Sequence, residues 1–208
     1  MSQTKAQLIN AVDGSIVDAD ITGLSSSKLS GALPAISGAA LTNLDAGKIL
    51  QVKQTVKTSF FSTSTTGSGV DVTGVSVTIT PASSSNKILV RCFGEYGNDN
   101  NDSFASLSIA RVLDGSTDTG IAVGDARGST TRATMNATLR SGGGLSHNVS
   151  RHFGCEFLDS PNTTNAIVYK LRIFVVQGTP ACVGGSDSDN FNNFVSTPTF
   201  ITAMEVAA

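Results

Sequence analysis

Beyond Lys48 the chain alternates apolar and polar residues with a period of two, which predicts a succession of short strands. Ile49 to Lys57 places Leu50, Val52 and Val56 on one face, and a short strand follows at Ser59 to Ser64. Val70 to Thr80 carries Val75, Val77 and Ile79 on one face, and Pro81 to Asn86 (PASSSN) reads as a turn. Lys87 to Tyr96 sets Ile88, Val90 and Cys92 against Leu89, Arg91 and Phe93. Further strands are expected at Phe104–Leu113, Thr131–Arg140, Asn148–Phe157, Ala166–Gln177 and Thr199–Val206. In the Ala166–Gln177 strand, Ile167, Tyr169, Leu171, Ile173 and Val175 oppose Lys170, Arg172 and Phe174, so it should be central and covered on nearly both faces. The expectation for residues 48–208 is an all-β, antiparallel sandwich or jelly-roll-like head.

Residues 1–47 follow a different pattern. They hold no aromatic residue, whereas every Phe and Tyr lies beyond them. Ser2 could cap a short helix over Thr4 to Val12, with Leu8 and Val12 on one side. Past Asp13 and Gly14 the apolar positions are Ile16, Ile21, Leu24, Leu29, Leu33, Ile36, Leu41 and Leu44. Their spacings of 5, 3, 5, 4, 3, 5 and 3 fit neither a strand nor a helix, yet they pair at eight: Ile16 with Leu24, Ile21 with Leu29, Leu33 with Leu41, Ile36 with Leu44. A segment with one apolar line and no core of its own buries that line only against other protein. We read 1–47 as an extended N-terminal arm and Leu8, Val12, Ile16, Ile21, Leu24, Leu29, Leu33, Ile36, Leu41 and Leu44 as its docking residues.

Composition strengthens the β reading. Charged residues are only 14% of the chain, and Ser, Thr, Asn and 21 Gly take their place. Glu, a helix-surface residue, occurs at Glu95, Glu156 and Glu205 alone, while Asp, a turn residue, is common. A net charge of −2 lacks the basic face that binding to nucleic acid requires. No apolar run is long enough to insert in a membrane as a helix. Met1 to Leu8 has no basic head and apolar stretch of a secretory signal, so synthesis in a cytosol is expected.

The motifs that carry chemistry are sparse, and no enzyme and no cofactor are expected. Glu95, Glu156 and Glu205 fall within strands, where an outward, solvated position is the default, whereas glycan hydrolysis needs two acids about 5–10 Å apart. His147 and His152 lie near Ser146 and Ser150 without a nucleophile elbow. Gly142 to Gly144 precede Leu145 rather than a phosphate-binding helix, and read as a hairpin tip. Cys92, Cys155 and Cys182 have no metal-ligand spacing and are taken as small buried hydrophobes. Arg127, Arg132, Arg140 and Arg151 gather in one stretch, as a receptor-facing patch, as ion pairs between chains or as solvated residues. The polar runs Asn98, Asp99, Asn100, Asn101 and Asp102, and Asp187, Asp189, Asn190 and Asn192, are candidate receptor-facing loops. They are acidic enough to suggest calcium, but the glycine turn and closing glutamate of a calcium loop are missing, and no metal site is assigned.

Several stretches resemble the arm-to-head junction of fibre and head-decoration proteins of cyanophages and marine phages. They are Gly31–Leu44 (GALPAISGAALTNL), Gly47–Val56 (GKILQVKQTV), Ser62–Ser68 (STSTTGS), Val75–Pro81 (VSVTITP), Asn86–Val90 (NKILV) and Phe200–Val206 (FITAMEV). The likeness covers most of residues 31–90 and the last strand, and leaves 98–165 outside it. It implies a homotrimer displayed on a virion surface and assembled in the bacterial host cytoplasm. It further implies an arm docked on the major capsid protein, and a head that could assist host attachment through a surface glycan. The alternatives are a short tail fibre or tailspike receptor-binding tip, whose partner is a tail component, and a carbohydrate-binding module. An extended arm of 47 residues reaches only about 150 Å, short for a shaft that must find a cell, so decoration leads.

Overall fold

The computed structural model describes residues 48–98, 102–116, 118–140, 149–178, 180–185 and 195–208. The chain divides after Leu44, and the unit Asp45–Ala208 carries all the described strands. In chain order these are β1 (Ile49–Lys57), β2 (Phe61–Thr63), β3 (Gly69–Ile79), β4 (Lys87–Asn98), β5 (Asp102–Leu113) and β6 (Thr119–Ile121). There follow β7 (Met135–Asn136), β8 (Leu139–Arg140), β9 (Val149–Asp159), β10 (Ile167–Gln177), β11 (Ala181–Val183) and β12 (Thr199–Val206). Every pairing between them is antiparallel.

Two sheets form an all-β sandwich. The first runs β1-β12-β4-β11-β2, with β9 on the other side of β4; the second runs β3-β10-β5-β6, with β7 and β8 also on β5. One core lies between them, filled by Val75, Val77 and Ile79 from β3, Ile88, Val90 and Cys92 from β4, Leu107 and Ile109 from β5, and Ile201 and Ala203 from β12. As the alternation required, β10 is central, and Ile167, Tyr169, Leu171, Ile173 and Val175 are wholly buried. Its other face is half-buried because Lys170 and Arg172 form ion pairs with Asp71 and Asp118 at 2.8–3.2 Å.

Strand pairing adjusts the expected boundaries. Thr131–Arg140 is two short strands, β7 and β8, rather than one, and β6 and β11 were not expected. Three residues are too few to show a period, which hid both from a pattern search. In β3 the register with β10 jumps between Lys170 and Arg172, and Gly74 takes φ 86° there. This bulge changes the parity of the strand, so that Val72 joins Val75 in the core.

Two carboxylates depart from the expected solvated position. Glu205 is fully buried on the inner face of β12, beneath the Pro81–Asn86 turn. It accepts hydrogen bonds from Asn86 Nδ2 (2.6 Å), Gln51 Nε2 (2.6 Å) and the Ala82 amide (2.7 Å). Burial alone would raise its pKa, but the donors from Asn86, Gln51, Ala82 and Ser83 outweigh burial and hold the carboxyl below its usual range. Glu95 is half-buried and accepts from Ser150 Oγ (2.6 Å) and Thr197 Oγ1 (3.0 Å). Glu156 is exposed as expected, paired with Arg91 at 2.7 Å.

The cysteines behave as small apolar residues. Cys92 and Cys182 are buried and Cys155 is half-buried, and none of the three is in a disulfide. Cys92 and Cys155 face each other across β4 and β9. Burial raises the pKa of both thiols, strongly for Cys92, where the neighbouring Cys155 adds to the effect.

Candidate functional site

Most residues singled out in the sequence lie outside the described residues. These are the short helix expected at 4–12, all ten arm positions from Leu8 to Leu44, the loop residues Asp99, Asn100, Asn101, Asp187, Asp189, Asn190 and Asn192, the Gly142–Gly144 tip and His147. Asp102 opens β5, in backbone register with Arg140. Asn98 is not on an exposed loop: it is fully buried at the end of β4, and its amide donates to the Gly178 carbonyl at 2.8 Å. Pairing of β4 with both β9 and β11 at this point carries the strand past the predicted end and draws Asn98 inward. Arg127, Arg132, Arg151 and His152 are exposed, and Arg132 Nε donates to the Gly124 carbonyl at 2.7 Å.

The surface that stands out is the outer face of β1, β12, β4 and β9. Because opposed residues in an antiparallel pair share a face, the registers arrange this surface in rows across four strands. One row is Val52, Met204, Leu89 and Leu158. The next is Gln54, Thr202, Arg91 and Glu156. The third is Val56, Phe200, Phe93 and Gly154. Two apolar rows therefore flank one polar row.

The ends of the apolar rows are open to solvent, and Met204, Leu89, Phe200 and Phe93 between them are half-buried. Val52 is 55% exposed, Val56 52% and Leu158 44%, and Leu50 at the end of β1 is 49% exposed. The sequence had placed Leu50, Val52 and Val56 on one face of β1, and that face turns outward. Inward from β1 point Gln51 and Thr55, and Gln51 is committed to Glu205 and to the Thr80 carbonyl. In the third row the Phe93 and Phe200 rings lie 5.7 Å apart, and Phe93 leans over Gly154, where a Cβ would stand 2.6 Å from its Cδ1 atom. Only glycine leaves room for the ring at that place.

The polar row is internally neutral. Gln54 Nε2 donates to Thr202 Oγ1 at 2.8 Å, Arg91 pairs with Glu156, and the Arg91 guanidinium sits 5.4 Å from the Phe93 ring centre. A groove of about 420 Å³ crosses the face between Val52, Met204, Phe93 and Phe200. With its charges already matched, the face suits contact with protein better than with phosphate or a charged glycan. Sequence reasoning missed this surface as a site. The alternation in β1 was visible, but a period of two cannot say which side of a strand meets the second sheet.

A separate concavity of about 520 Å³ lies against β5 and the segment 124–138, lined by Phe104, Met135 and Val176 with Asp125 and Arg132. Among the described residues, no cluster of His, Cys, Asp or Glu is arranged to hold a metal ion.

No family model matches the sequence, and no curated protein matches it. Among solved structures, the chain is similar to a protein in the structure of the Gt strain of infectious bursal disease virus. Identity there is 14% with a TM-score of 0.42, over 85% of this chain and 43% of that one. A crystal structure of the T13 particle of the same virus gives 16% identity and a TM-score of 0.41, over 85% and 40% of the two chains. The Gx strain gives 14% and 0.36, over 85% and 43%. The chain spans less than half the length of each of these three chains.

Proposed function

We propose that the chain is a structural virion protein of a tailed bacteriophage, a trimeric capsid decoration protein that works by binding rather than by catalysis. Residues 1–47 hold it on the major capsid protein through the apolar series Ile16 to Leu44, and the sandwich stands on the particle surface. The observation that carries this reading is the bare, row-ordered apolar face of β1, β12, β4 and β9, since such a surface in a single chain marks a place where other protein packs. The phage-like motifs around Gly31–Leu44, Gly47–Val56 and Phe200–Val206 give that association a setting. A non-catalytic role is supported by the acids: Glu156 is paired, Glu95 is held by two hydroxyls and Glu205 is sealed under a turn. Many equivalent, individually modest contacts on a repeating shell give a decoration its hold.

The test is rebinding to particles freed of the protein. The full chain is expected to sediment with them, and a chain lacking residues 1–44 to remain soluble and unbound. Equal binding by the shortened chain would remove the docking role of the arm.

A further inference from the structure

We infer that the outer face of β1, β12, β4 and β9 is a pairing surface for a second copy of this chain, packed sheet to sheet about a twofold axis that runs along the strands. The inference rests on the reading that the chain works by association, and it names the occupant of the bare face.

A twofold contact brings each residue against the chemistry of its symmetry mate, so the face must complement itself. An axis between β12 and β4, parallel to the strands, keeps every row over the same row and reverses the order of the strands. Along the first row Val52 then meets Leu158 of the other copy, and Met204 meets Leu89. Along the third, Phe200 meets Phe93, and Val56 meets the place where the Phe93 ring roofs Gly154. Along the polar row the Glu156 carboxylate meets the Gln54 amide, a hydrogen-bond donor, and Arg91 meets the Thr202 hydroxyl, an acceptor. Apolar rows thus fall on apolar rows, and each charge meets a group able to bond it. No like charges oppose one another, and neither Arg91 nor Glu156 need leave its own partner.

Size fits as well. Four strands about 4.8 Å apart, read over about eight residues of about 3.3 Å, cover roughly 500 Å². Two copies together would bury about 1,000 Å², the size at which specific interfaces begin. Side chains such as Val, Leu and Phe on two sheets about 10 Å apart interlock as they do within one sandwich. Where arms hold three copies together, this face links one trimer to the next.

The test is native mass spectrometry and light scattering of the full chain over a range of concentrations, for wild type, Val52→Glu, Leu158→Glu and Val176→Glu. Val52, Leu158 and Val176 are all exposed, so each variant should fold, and Val176 lies on β10 away from the face. The expected wild-type copy number is even at high concentration, halved by Val52→Glu and by Leu158→Glu and kept by Val176→Glu. Wild type that stays monomeric, or an assembly that survives Val52→Glu and Leu158→Glu unchanged, overturns the pairing. Particle binding by the full chain is scored separately, so loss of pairing with retained binding leaves the decoration reading standing.

Discussion

Asn86 Nδ2 donates a 2.6 Å hydrogen bond to Glu205 Oε1 and so ties the turn between β3 and β4 to the last strand of the chain. Gln51 on β1 closes the same carboxylate from the other side at 2.6 Å. One buried anion therefore gathers three elements that are far apart in sequence. Asn86→Ala leaves that carboxylate short of a donor, and we expect a loss of about 1.5–3 kcal/mol in urea unfolding.

The same carboxylate makes stability depend on pH. Its folded pKa lies below the unfolded value, so its contribution is present above the usual carboxylate range and is lost as pH falls through and below that range. Urea midpoints from neutral to acid pH should fall more steeply for wild type than for Glu205→Gln. Parallel curves would show that the anion is not what the donors stabilise.

The pair Phe93 and Gly154 should resist substitution. A Cβ at residue 154 meets the Phe93 ring at 2.6 and 2.7 Å, so Gly154→Ala must displace the ring and is expected to cost about 1–3 kcal/mol. Phe93→Leu in the same chain should relieve much of that cost, a coupling that a double-mutant cycle measures. Strict additivity would mean that the ring does not lean on the glycine.

Asp159 is buried, held by Arg111 Nη1 at 2.8 and 2.9 Å and by Tyr169 Oη at 2.7 Å. Removing the cation strands a buried charge, so Arg111→Met is expected to cost about 3–5 kcal/mol. Burial, reinforced by the hydrogen bond to Asp159, pushes the Tyr169 hydroxyl far above its ordinary pKa. Ultraviolet titration should show Tyr169 ionising only when the fold is lost, and Tyr169→Phe should reduce that late step by the absorbance of one tyrosine.

Thiol chemistry follows from burial. Both Cys92 and Cys155 have raised pKa values, so little thiolate is present at mildly alkaline pH. Iodoacetamide should leave Cys92 unmodified until denaturant is added, and should alkylate Cys155 more slowly than a free thiol. Rapid alkylation of Cys92 in the native chain would contradict its place in the core.

Strands with a full period of alternation were legible from sequence: β12 was expected at Thr199–Val206 and is found there, and β10 is central and buried as Ile167 to Val175 required. Short β6 and β11 were not legible, because their positions come from pairing with β5, β4 and β2. Glu205 was misread because its donors, Asn86, Gln51 and the Ala82 amide, approach it only after the sheets assemble. Asn98 looked like a loop residue until β9 and β11 both paired with the end of β4. The apolar face was half visible: Leu50, Val52 and Val56 shared a side, but their meeting with Phe200, Met204, Leu89 and Phe93 depends on strand order, which local pattern does not encode.

The most direct measurement of the central claim is the number of copies of the chain in a purified particle, by quantitative mass spectrometry. The account predicts many copies, matched to the repeating sites of a capsid shell. A handful of copies would move the protein to the tail, and absence from particles whose lysate contains the soluble chain would contradict the claim.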